Sequence, residues 1–183
     1  MTTLEHQFVS YLETLVEDRA ALAALRRGLG QPPGSVPDMY RYVVRYLPKD
    51  AYPNSWTEQS YYLIAALYAL HPASAPEGNL GTHFARTFDP KADNNDATER
   101  RFTALLTAHP DDLHFYLRQA VSFLKSKDAT INWHQLMWDV LAWGNSDRRT
   151  GVQKWWAAQF WRRQTGDDAP DEAGVEQPDE PTE

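Results

Sequence analysis

The chain has 183 residues, 42% hydrophobic and 13% aromatic, and a formal charge of −7. That is ample apolar material for one packed domain, or two small helical lobes sharing a core, and it argues against wholesale disorder. No cysteine is present, which excludes disulfides, thiolate metal sites and cysteine nucleophiles.

The punctuation of the chain is helical from the start. Thr2 and Glu5 spell a capping box, followed by Phe8, Tyr11, Leu12 and Leu15 at helical spacing. Asp18 is placed to cap "RAALAALRR", which Gly28 ends. "GLGQPPGSVP" reads as a loop, and Pro37 fits the first turn of "PDMYRYVVRYL". Ser55 and Glu58 make a second capping box before "QSYYLIAALYAL", the most apolar helix and the expected centre of the core. A loop follows from Pro72 to Gly81, then a short helix in "THFARTF". "DPKADNND" at 89–96 is the candidate boundary between two lobes. Beyond it, Asp96 and Glu99 cap "ATERRFTALLTAH", and Pro110 with its aspartates opens "DLHFYLRQAVSFLKSK". Asn132 opens "WHQLMWDVLAW", Gly144 closes it, and residues 147–163 supply the last helix.

No useful strand-like alternation and no internal repeat interrupts this pattern. About eight helices with short connections imply an all-α compact bundle, residues 1–164, with a disordered acidic tail at 165–183. The longest apolar run, residues 61–70, is about half of what a bilayer requires. The N-terminal "MTTLEHQFVSYLETL" lacks the pattern of a signal peptide, so the expected location is cytoplasmic, without a membrane partner.

The acidic total conceals an uneven distribution. Residues 165–183 hold eight acids and no base, whereas residues 100–164 hold ten bases and five acids. A local basic surface is what a polyanion would meet. Scattering of these charges over ordinary solvated faces is the plain alternative.

Catalytic templates are missing: there is no P-loop, dinucleotide-binding glycine pattern, GxSxG or HExxH. His109, Asp111, Asp112 and His114 can be drawn as a metal site, but aspartates at a helix start also satisfy free N–H groups and suit the positive dipole end. Glu13 and Glu17 read as solvated carboxylates, and His134 as a packed or capping histidine. No catalytic residue, metal or cofactor is assigned.

In "DLHFYLRQAVSFLKSK", Leu113, Leu117, Ala120, Val121 and Leu124 form the buried stripe. Arg118, Ser122 and Lys125 form a separate one, fit either for successive phosphates or for a rim around the core. Arginine doublets recur at 26–27, 100–101, 148–149 and 162–163. In the last helix Val152, Trp155, Trp156 and Phe160 share a face expected to enter the core. Trp161 lies nearly opposite, suited to stacking on a base or to filling a helix contact.

"DRAALAALRRGLG", "ERRFTALLTAHPDDLHFYLRQAVSFLKSKDATINWHQLMWDVLAW" and the following "DRR…W…FW" resemble CasB, the small subunit of the type I-E CRISPR surveillance complex, Cascade. The similarity runs over residues 5–163. It implies a non-catalytic all-α subunit that contacts CRISPR RNA, target DNA with its displaced strand, the Cascade backbone and large subunits, and a second copy of itself. Its implied task is stabilising the R-loop through a basic surface. By position, the resemblance places Arg26, Arg27, Arg100, Arg101, Arg118, Arg148 and Arg149 in the nucleic-acid-binding set; Lys125 joins on the stripe argument. The rival from another class is a purely structural protein–protein module, its arginines paired with acids of its partners.

Overall fold

A computed structural model describes residues 4–88 and 95–164. These contain nine α-helices: α1 (Gln7–Thr14), α2 (Arg19–Arg26), α3 (Tyr40–Val43), α4 (Trp56–Leu70), α5 (Leu80–Ala85), α6 (Asn95–Leu106), α7 (Leu113–Ser126), α8 (Trp133–Trp143) and α9 (Ser146–Gln164). Three short 3-10 turns accompany them. Among the described residues there is no strand, only an isolated bridge between Ser74 and Ile131. The fold is all-α. The candidate boundary at 89–96 falls mostly outside the described residues, and the acidic segment 165–183 wholly so.

Most starts follow the expected capping chemistry. Asp18 accepts from the Ala21 N–H, Ser55 from Glu58 and Asn132 from Gln135. The reciprocal limb of the second capping box differs slightly, since the Glu58 carboxylate accepts from Asn54 rather than from Ser55. The first helix is capped by His6, with Nδ1 accepting from the Phe8 N–H; Thr2, the expected cap, lies outside the described residues. "PDMYRYVVRYL" is not one continuous helix. It runs as a 3-10 turn, one turn of α-helix, then another 3-10 turn. The adjacent Val43 and Val44 explain this, because β-branched side chains crowd the preceding helical turn.

Helix α4 is the centre of the core. Ile64, Ala65, Leu67, Tyr68 and Ala69 are all buried along it. One continuous cluster of buried side chains joins Phe8 and Leu12 to Leu117, Trp143 and Phe160, so residues on both sides of 89–94 share a single core. Two loops are stitched together where the Ala75 N–H donates to Ile131 and the Ile131 N–H donates to Ala73. Helices α5 and α9 touch backbone to backbone at Gly81, where any Cβ would collide with the Trp156 carbonyl. No helix of the described residues is long and apolar enough to cross a membrane.

Candidate nucleic-acid interface

Helix α7 carries the centre of the basic surface. Its stripe of Leu113, Leu117, Ala120, Val121 and Leu124 is buried, which turns Arg118, Ser122 and Lys125 outward. Between α7 and α6 lies an open groove of about 400 Å3, lined by Arg101, Phe115, Arg118, Ser122 and Phe123 among others. The Arg101 guanidinium lies 5.2 Å from the Phe123 ring centroid, a cation–π contact that holds the charge at the groove wall. Arg118 projects from the opposite side and touches Gly30 in the loop after α2. Among the described residues Arg118 has no ion pair or hydrogen bond, so its charge is open to an anion.

Two further cations arrive at one end of this surface for a structural reason. The Arg26 Nε–H donates to the Ala69 carbonyl at 2.6 Å, and Lys125 Nζ donates to the Leu70 carbonyl at 2.9 Å. Both acceptors are unpaired carbonyls of the last turn of α4, the negative end of its dipole. Helices α2 and α7 are thus tied to the same helix end by one cation each. Arg26 and Lys125 nevertheless remain exposed, and a Lys Nζ keeps donors beyond the one it uses. The structure therefore places Arg101 and Arg118 on one groove, and Arg26 and Lys125 together at the C-terminal end of α4.

The remaining four candidates are placed differently. Arg27 forms an exposed ion pair with Asp38. Arg100 faces away from its neighbour Arg101, into a second groove shared with Asp96 and Glu99. Arg148 and Arg149 lie in the first turn of α9, where Asn145 Oδ1 accepts from the N–H groups of Asp147 and Arg148. Cations at a helix N-terminus oppose the dipole, so helix stability does not call for them there. Among the described residues no hydrogen bond or ring contact joins this pair to the α7 groove.

The structure adds two arginines that sequence reasoning passed over. Arg41 lies 4.6 Å from the Tyr42 centroid, and Arg45 sits 4.7 and 4.9 Å from Tyr11 and Tyr46. The alternation "YRYVVRY" is the signal that marks them. One aromatic expectation is overturned as well. Val152, Trp156 and Phe160 are buried, but Trp155 is 40% exposed. The inner face of α9 is narrower than the spacing suggested, and Trp155 falls on its shoulder beside Arg86 and Gln159. Trp161 is committed to packing, edge-on to Phe102 and Phe160, with its N–H donated to Glu99 at 3.3 Å.

The titratable groups elsewhere are explained by packing. His109 caps the turn at Pro110–Asp112, its Nδ1 accepting from the Asp111 N–H. Among the described residues no group of three or more histidines or carboxylates is arranged to hold a metal. His134 Nδ1 accepts from the His6 N–H at 2.8 Å, and its Nε2 lies 3.5 Å from Glu13. Burial, with His134 beside it, pushes His6 down to about 4. Asp139 is buried in the core, accepting from Trp156 Nε1 at 2.7 Å and Gln135 Nε2 at 2.8 Å; burial pushes its carboxyl up to about 6.

The family model for CRISPR-associated protein Cse2 matches residues 21–161, from α2 to the end of the α9 core contacts. The chain belongs to the Cse2 family. A Cse2 protein of Thermus thermophilus is 35% identical over 161 residues, covering 85% of this chain and 88% of that protein. The crystal structure of CasB from Thermus thermophilus superposes with a TM-score of 0.71 at 33% identity, over 85% of this chain and 96% of that one. A chain of a solved CRISPR RNA-guided surveillance complex superposes with a TM-score of 0.74 at 30% identity, over 87% and 92%. The whole α7 groove lies inside the Cse2 match. The acidic segment 165–183 lies beyond it.

Proposed function

We propose that this Cse2 chain is the small, non-catalytic subunit of a CRISPR RNA-guided surveillance complex, and that its basic face holds nucleic-acid backbone so as to stabilise the R-loop. Family membership and the likeness to a chain of such a complex support the assembly role. The observation that supports the nucleic-acid role is the α7 groove, with Arg118 lacking a carboxylate partner and Arg101 fixed on Phe123; Lys125 follows on the same helix stripe, and Arg26 meets the same end of α4 as Lys125. Arg27, Arg100, Arg148 and Arg149 complete the proposed set. The partners are the guide RNA, the target DNA with its displaced strand, the backbone and large subunits, and a second copy of this chain.

The physical task is modest and needs no base reading. Guide pairing supplies sequence specificity, while cations along a groove neutralise phosphates and release condensed counterions. Phe115, more than half exposed at the groove edge, offers a ring for an unpaired base. The test is binding of single-stranded DNA by the assembled complex across a salt series. Arg101→Ala with Arg118→Ala should lower the slope of log K against log salt by about 1.4, at about 0.7 per phosphate contact. An unchanged slope with intact assembly would instead favour a purely structural module, which the exposed Trp155 and Trp138 would serve as contact residues.

A further inference from the structure

Segment 165–183 carries Asp167, Asp168, Asp171, Glu172, Glu176, Asp179, Glu180 and Glu183, with no base and no aromatic ring. It follows directly on α9. The end of α9 is packed against α6, with Phe160 tilted against Phe102 at 4.2 Å between ring centroids and Trp161 donating to Glu99. Arg101 sits next to Phe102 on that same helix, at the near wall of the α7 groove. Beyond the groove, the outward stripe of α7 continues from Arg118 to Lys125, seven residues or about 10 Å along the helix. A 19-residue segment spans up to about 60 Å when extended, so it reaches the whole groove with length to spare.

Two cations line this groove, and the same chain carries an acidic segment that complements them. We propose that the acidic segment 165–183 seats on the α7 groove of the free subunit, its carboxylates against the groove cations Arg101 and Arg118 and against Lys125 farther along the same stripe. Attachment sets an effective concentration of order 1 mM. Against a dissociation constant of about 0.1 mM, at the weak end for non-specific polyanion contacts, the segment would occupy the groove about nine-tenths of the time. Stray nucleic acid would then bind about tenfold more weakly. A long strand held at many points within an assembled complex would displace it. That competitive consequence rests on the nucleic-acid reading of the groove, whereas the seating itself does not.

Two measurements on the full chain test this separately. The native chain has no cysteine, so Ala173→Cys accepts a single nitroxide label. Seating predicts paramagnetic broadening of amide signals around Arg101 and at 118–125 at about 0.05 M salt, and recovery at about 1 M, where screening falls to about 3 Å. Broadening absent at low salt, or equal at all surface positions, would overturn the seating. In the second arm all eight acids are replaced by Asn or Gln and the free subunit is titrated with single-stranded DNA. Competition predicts about tenfold tighter binding at low salt, with the gain vanishing at high salt. Equal affinities would overturn the competition. If neither form binds DNA while the label still reports the groove, the nucleic-acid reading fails and the seating stands.

Discussion

Arg118 rests its guanidinium on the bare α-carbon of Gly30, where a methyl group would stand 2.5 Å from Nη1. Gly30 is also in the left-handed region, with φ of +77°. A side chain there is opposed twice, by the backbone and by the arginine. Gly30→Ala should therefore destabilise the fold by about 1 kcal/mol in denaturant titration and dislodge Arg118 from the loop. Full stability in the variant would show that neither constraint matters.

Arg26 and Lys125 have a structural duty that Arg101 and Arg118 lack. Each completes an unpaired carbonyl of α4. Alanine at either position should cost about 0.5–1 kcal/mol of stability. The double variant Arg101→Ala, Arg118→Ala should stay within about 1 kcal/mol of the parent while lowering the salt slope of DNA binding by the two contacts it removes. Thermal melts and binding titrations on the same samples separate the two effects.

Asp139 predicts a stability that rises on mild acidification. Its carboxyl sits at about 6 in the fold, against a reference value of 3.8. Between those values the folded state holds the proton and the unfolded state does not, so stability falls as pH rises through this window. Asp139→Asn keeps an acceptor for Trp156 and should flatten that part of the profile. Asp139→Ala strands the Trp156 N–H and removes the same titration, so its cost should be largest, about 1–3 kcal/mol, below the window and should shrink as pH rises through it.

His6 works in the opposite direction. Its folded value is about 4 against 6.5, so the unfolded chain takes up a proton first and stability falls as pH drops from about 6.5 to about 4. His6→Asn retains a cap for the Phe8 N–H and should remove this acid sensitivity with little loss at pH 7. Stability measured against pH for both single variants distinguishes the two opposed contributions. An unchanged profile in the His6 variant would assign the acid response elsewhere.

The two neighbouring tryptophans of α9 should behave differently. Trp156→Ala empties a buried site and breaks the Asp139 bond, at a cost of about 3–5 kcal/mol. Trp155→Ala should cost less than about 1 kcal/mol, because the ring already lies at the surface. Gly81→Ala, facing the Trp156 carbonyl, should cost about 1–3 kcal/mol by wedging α5 from α9. Equal losses for the two tryptophans in chemical denaturation would contradict the burial assigned to them.

Much of this was legible in the residues. The stripe on α7 follows from spacing alone, and the same spacing puts Arg118 and Lys125 outside. Asp18, Ser55 and Asn132 cap their helices as their short polar side chains require. What spacing left undecided was the width of a buried face, which is why Trp155 reads as core and stands at the surface. It also left undecided which of two adjacent arginines meets a carboxylate, as Arg27 does, or a carbonyl, as Arg26 does.

The sequence by itself determined most of the helices, the apolar stripe of α7 and the Cse2 resemblance, because these depend on near neighbours in the chain and on side-chain type. Only the tertiary structure decided which charges are spent and which are open. Arg26 and Lys125 are 99 positions apart, yet both end on the last turn of α4. Arg101 needs Phe123, and Arg118 needs Gly30, before either is held at the groove. Long-range packing sets a cation's partner, and with it whether the charge is open to a phosphate.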